Sequence, residues 1–107
     1  MITVTVNKDS DGICRRICMD GHAGYAEYGQ DIVCAATSVL FINTANAIET
    51  FTEDAFTVEQ DTKSDRVVLQ LTSSISDETS LLLNTLLLGL TGIMEEYGDE
   101  YIRIQYQ

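Results

Sequence analysis

Leu83, Leu86, Leu87, Leu90, Met94 and Tyr97 recur at i, i+3, i+4, i+7, i+11 and i+14, a stripe along one side of a helix. A helix that is apolar on one side must bury that side against a second layer. The rest of the chain supplies the layer. Ile2, Val4 and Val6 alternate with threonines, and residues 7–12 then offer turn chemistry. Ile13, Ile17 and Met19 resume the alternation, with Arg15 intruding on the apolar side, so the two segments read as a hairpin. Phe56 and Val58, then Val67, Leu69 and Leu71, give two more strands around the polar turn at 61–65.

Asp31 is a good N-cap for an earlier helix that carries Val33, Ala36, Leu40, Ala47 and Phe51 at helical spacing. The leucine-rich helix starts near Ser76 or Asp77 and stops at Gly98 and Asp99, before a last alternating run of Ile102, Ile104 and Tyr106. The order ββαββαβ predicts an α+β fold, two helices packed on a mixed sheet. No proline, repeat or low-complexity block marks a linker, so residues 1–107 read as one domain. Leu81, Leu82 and Leu88 lie off the main stripe and either widen the core face or cover a subunit contact.

Six Lys and Arg against 17 Asp and Glu give a formal charge of −11. Such a surface repels a phosphate backbone, which argues against nucleic acid, and suits a basic protein partner or plain solubility. The three cysteines are an odd number, and the start lacks the basic flank and apolar run of an export signal, so reduced thiols in the cytoplasm are expected. The apolar stretch at 81–94 is interrupted by Asn84 and Thr85 and is too short to cross a bilayer, so no membrane partner is expected.

Chemistry concentrates between the hairpin and the first helix. Gly21, Gly24 and Gly29 lie close together with Tyr25 and Tyr28 among them, a loop able to move and to let backbone approach a ligand. The only histidine, His22, stands at its mouth, and Cys34 lies at its far end in the first turn of the helix. A helix N-terminus favours a thiolate, and an imidazole can hold the proton and return it to a leaving amine. Against this, a cysteine on an apolar helix is ordinarily a packing residue, and a histidine at a strand end is ordinarily just hydrogen-bonded. Spacing alone leaves both readings open.

Asp31 cuts both ways. As a cap it orders the helix start, as an anion it raises the thiol pKa, and it could instead orient His22. Ser38, one turn after Cys34, could hydrogen-bond the sulfur or simply pack against its own helix. A zinc set of Cys14, Cys18, His22 and Cys34 fails on geometry. Cys14 and Cys18 on one strand would point the same way about 13 Å apart, too far for ligands of one ion. No metal site is expected.

The run Gly21-His22-Ala23, a variable loop ending in Gly29-Gln30-Asp31, then Ile32-Val33-Cys34-Ala35-Ala36 with Ser38, resembles the signature of the bacterial ribosomal-processing cysteine protease family, Prp. The likeness extends to length, element order and the leucine-rich second helix with its glutamate-rich end. It implies a cytoplasmic endopeptidase that removes the N-terminal extension of a large-subunit ribosomal protein. Cys34 would be the nucleophile and His22 the general acid/base, in a homodimer without a cofactor. The loop bearing Gly21, Gly24 and Gly29 would bind substrate, and the oxyanion would meet amides at the helix start. If the loop must close over the peptide, the free enzyme could hold His22 and Cys34 too far apart for a hydrogen bond, with the loop poorly ordered. The competing class is a non-catalytic, acidic assembly module that holds a basic ribosomal protein. Thiol reactivity separates the two, since only a nucleophilic Cys34 outpaces Cys14 and Cys18 in alkylation.

Overall fold

The computed structural model describes residues 1–27 and 29–107. Seven elements follow in the order read from the sequence: β1 (Ile2–Lys8), β2 (Cys14–Asp20), α1 (Ile32–Phe51), β3 (Phe56–Asp61), β4 (Arg66–Leu71), α2 (Asp77–Tyr97) and β5 (Ile102–Tyr106). The strands form one mixed sheet in the order β3-β4-β2-β1-β5. β1 runs parallel to β5 and antiparallel to β2, while β4 pairs antiparallel with both β2 and β3.

Val4, Val6, Ile17, Leu69 and Ile102 turn one face of the sheet into an apolar floor, and the two helices lie on it. Leu83, Leu86, Leu87 and Leu90 are buried as their spacing predicts, and Met94 and Tyr97 pack against the same core. Ser76 caps α2, its hydroxyl accepting the Thr79 N–H at 3.2 Å, and Asp77 and Glu78 complement the helix dipole. Leu82 packs half-buried against the core, whereas Leu81 and Leu88 are 67% and 73% exposed.

Two expectations change. The buried stripe of α1 is Val33, Thr37, Phe41, Thr44 and Ile48, while Phe51 is 75% exposed. Two threonines can sit in that stripe because their hydroxyls donate within the helix, Thr37 to the Cys34 carbonyl at 3.0 Å and Thr44 to that of Leu40 at 2.7 Å. In the hairpin, the register slips between the pairs Asn7–Arg16 and Lys8–Cys14, leaving Arg15 without an opposite residue. This bulge turns Cys14 to the helix-covered face, and Cys18 lies on the opposite one, so the two thiols do not point the same way.

α1 also meets the length and composition of a membrane span. In this fold its buried stripe is what covers the sheet.

Candidate active site

β2 ends at Asp20, and the chain then turns sharply through Gly21, whose φ is +99°. A Cβ there would sit 2.5 Å from the Met1 carbonyl oxygen, so both the backbone and the space require glycine. Gly21→Ala is expected to lower the unfolding midpoint by about 5–15 °C, from ~1–3 kcal/mol of strain and displacement. An unchanged melting curve by circular dichroism would contradict that close approach. The turn delivers His22, whose carbonyl accepts a hydrogen bond from the Met1 amine. Gly24 and Gly29 also adopt left-handed backbone, while Tyr28 lies outside the described residues.

Asp31 fixes the other end of the loop. Its Oδ1 accepts the Cys34 N–H at 3.0 Å, the N-cap bond of α1. Its Oδ2 accepts the amides of Tyr25 at 2.9 Å and Ala26 at 3.4 Å, so one buried carboxylate ties loop and helix together. Burial opposes its ionisation, yet the converging N–H groups of Cys34, Tyr25, Ala26 and Val33 outweigh burial and hold its pKa below the ordinary carboxylate value. The Tyr25 ring adds a second hold, meeting Tyr97 and Tyr101 edge-on with centroids 5.5 and 5.2 Å away.

Between these anchors the reactive groups meet. His22 Nδ1 lies 3.3 Å from Cys34 Sγ, and His22 Nε2 lies 3.8 Å from Asp31 Oδ2. The pair is therefore in contact rather than separated, because Asp31 and the tyrosines already hold the loop against the helix start. The Ala23 N–H donates to Sγ at 3.2 Å. Sequence reasoning gave Ala23 no role, although it stands inside the motif beside His22.

The groups around the Cys34 sulfur act on its ionisation in opposite directions. Burial pushes the Cys34 thiol up; the Ala23 amide works the other way, and the Asp31 charge adds to the rise. The net direction is upward, and the imidazole 3.3 Å away is the group placed to take the proton. Of the amides at the helix start, those of Cys34 and Ala35 are engaged, one with Asp31 Oδ1 and the other with the Asp31 carbonyl. Ser38 is exposed and lines the same cleft as His22 and Cys34, with no hydrogen bond to the sulfur.

His22, Asp31 and Cys34 could each offer one ligand to an ion, their donor atoms lying within 4.8 Å of one another. The Asp31 oxygens, however, are already committed to backbone amides. Cys14 lies in the core and Cys18 on the opposite face of the sheet, where Arg66 Nε–H donates to its sulfur at 3.4 Å, so neither joins the cluster.

A thiol and an imidazole in contact at the head of a helix, beside an open cleft of about 280 Å³, define a cysteine hydrolase. The model of the cysteine protease Prp family matches residues 1–103, and the chain belongs to that family. The ribosomal processing cysteine protease Prp of Staphylococcus aureus is 36% identical over 107 residues, all of both chains. The Bacillus subtilis protease of that name is 38% identical over 48 residues, 45% of this chain and 43% of its own. Two crystal structures of the S. aureus protease, described as essential, superpose over the full length of both chains at 36% identity. The one with a covalently linked product peptide gives a TM-score of 0.94, and the one with a substrate peptide 0.88. The chain is a cysteine protease of α+β fold.

Proposed function

We propose that this protease removes the N-terminal extension of a large-subunit ribosomal protein, with Cys34 as nucleophile and His22 as general acid/base. The observation that carries the proposal is the 3.3 Å approach of Sγ and Nδ1, in a chain aligned end to end with the S. aureus ribosomal processing protease. The Cys34 proton passes to His22, and the thiolate attacks the scissile carbonyl. The tetrahedral adduct collapses, the C–N bond breaks, and His22 returns its proton to the departing amine. His22 then takes a proton from water, whose oxygen attacks the thioester carbonyl; the C–S bond breaks, the carboxyl product leaves, and the His22 proton returns to the Cys34 sulfur. The Ala23 N–H stabilises sulfur while it carries charge. Asp31 supports by holding the loop, and Gly21, Gly24 and Gly29 shape that substrate-facing loop.

A ribosomal protein is basic, and a −11 surface attracts it while repelling nucleic acid and anionic membrane. Mixing the purified chain with an N-terminally extended ribosomal protein and reading the product mass tests the proposal. One new N-terminus is expected, and an intact substrate would overturn it.

The compartment in this reading is the cytoplasm, supported by three free thiols with no pairing geometry among them. In the same reading the protein pairs as a homodimer, with Leu81 and Leu88 on the outer side of α2 as its contact. Leu88→Asp is expected to weaken self-association by at least ~30-fold, as for loss of a central apolar contact. Sedimentation that finds parent and variant equally dimeric would remove α2 from the interface.

A further inference from the structure

The Cys34 sulfur and His22 Nδ1 stand 3.3 Å apart, and both line an open cleft. A zinc ion held at ~2.3 Å by a thiolate and ~2.0 Å by an imidazole, at a tetrahedral angle, spaces those two atoms roughly 3.5 Å apart. The pair therefore already has the bite of a zinc chelate. What stands behind each donor fits as well. The Ala23 N–H points at the sulfur from 3.2 Å, a bond that strengthens when sulfur carries charge. Asp31 Oδ2 lies 3.8 Å from the other ring nitrogen, the carboxylate–imidazole–metal order that orients ligating histidines. Asp31 need not ligate: its oxygens keep their backbone amides while its charge faces the far side of the ring. Ser38 and the exposed acid Asp65 line the cleft, where water completes the coordination.

We propose that Cys34 Sγ and His22 Nδ1 form a reversible zinc site that switches the protease off. The inference rests on the Cys34/His22 reading above and needs no particular substrate. On binding, the S–H bond breaks, an S–Zn bond forms, and the thiol proton leaves to water. The imidazole lone pair is taken up at the same time. Nucleophile and proton carrier are then both occupied, and cleavage stops until a chelator removes the metal. The ion is an inhibitor here, not a cofactor. A thiolate and an imidazole select zinc, whereas magnesium and calcium prefer oxygen donors. A dication also gains from Asp31 and Asp65 beside the site, on a chain of formal charge −11. The other two thiols do not compete, because Cys14 lies in the core and Cys18 on the opposite face of the sheet.

The test titrates zinc chloride into the reduced full chain in thiol-free buffer. Bound metal is counted after equilibrium dialysis, and iodoacetamide reports the Cys34 sulfur. One zinc per chain is expected, with alkylation of Cys34 slowed at least ~tenfold at saturation and restored by EDTA, since a metal-bound thiolate is a poor nucleophile. Magnesium chloride at the same concentration should change neither reading. Cys18→Ser, altered on the opposite face, should bind zinc as the parent does. His22→Ala and Cys34→Ala each lose a ligand, and their affinity should fall by more than the ~100-fold that loss of an outer partner can cost. Selective labelling of Cys34 that zinc leaves unchanged overturns the site and leaves the nucleophile standing. So does equal zinc affinity in His22→Ala and the parent, which would put the metal elsewhere. Peptide cleavage that continues while zinc protects Cys34 overturns both the switch and the role given to this sulfur.

Discussion

Cys34→Ala is expected to lower peptide cleavage by at least ~10,000-fold, since no other group can form the acyl-enzyme. The variant should still melt cooperatively, because the sulfur is only half-buried and the core stripe of α1 lies on Val33, Thr37, Phe41, Thr44 and Ile48. His22→Ala removes the proton carrier but keeps the sulfur, and a loss of about 100- to 10,000-fold is expected. The two effects should not add, because each residue works through the other across 3.3 Å. Cleavage rates of both single variants and the double variant check this. Full activity in either single variant would take that residue out of the mechanism.

Asp31→Asn is expected to separate thiol reactivity from catalysis. The amide has one acceptor oxygen for three backbone donors, so the helix cap weakens and buried N–H groups of the loop lose their partner. The cost is about 2–4 kcal/mol, or roughly 10–20 °C in melting temperature for a domain of this size. With the loop loosened, His22 drifts from the sulfur, and cleavage should fall by about 100-fold. Losing the Asp31 charge favours the thiolate while loosening His22 and the Ala23 amide opposes it, so iodoacetamide labelling of Cys34 should change less than cleavage does. An equal fall in both rates would contradict the opposed effects assigned to this carboxylate.

The same residue sets an acid limit. The folded pKa of Asp31 lies below its unfolded value, so its contribution to stability is present above the ordinary carboxylate range. It is lost as pH falls through the depressed value. Parent and Asp31→Asn should differ most near neutrality and converge in acid, as denaturant titrations at several pH values would show.

How much of this was legible in the sequence depended on which forces act locally. Element order followed from the change of period, because strand and helix place apolar residues at different spacings. The stripe of α1 did not, since Thr37 and Thr44 look polar until their hydroxyls bond inside the helix. Arg15 registered as an intrusion, but only pairing with β1 reveals the slipped register that explains it. Residue chemistry and motif together named His22, Cys34 and Asp31. The assembled geometry depends on Tyr25 reaching Tyr97 and Tyr101, and nothing in local spacing joins residues so far apart.

Because one buried carboxylate both caps α1 and grips the amides of Tyr25 and Ala26, the glycine-rich segment cannot lift away without fraying the turn that carries the nucleophile. Opening of the cleft and melting of that turn are thus a single event, and amides on both sides of Asp31 should exchange their hydrogens together.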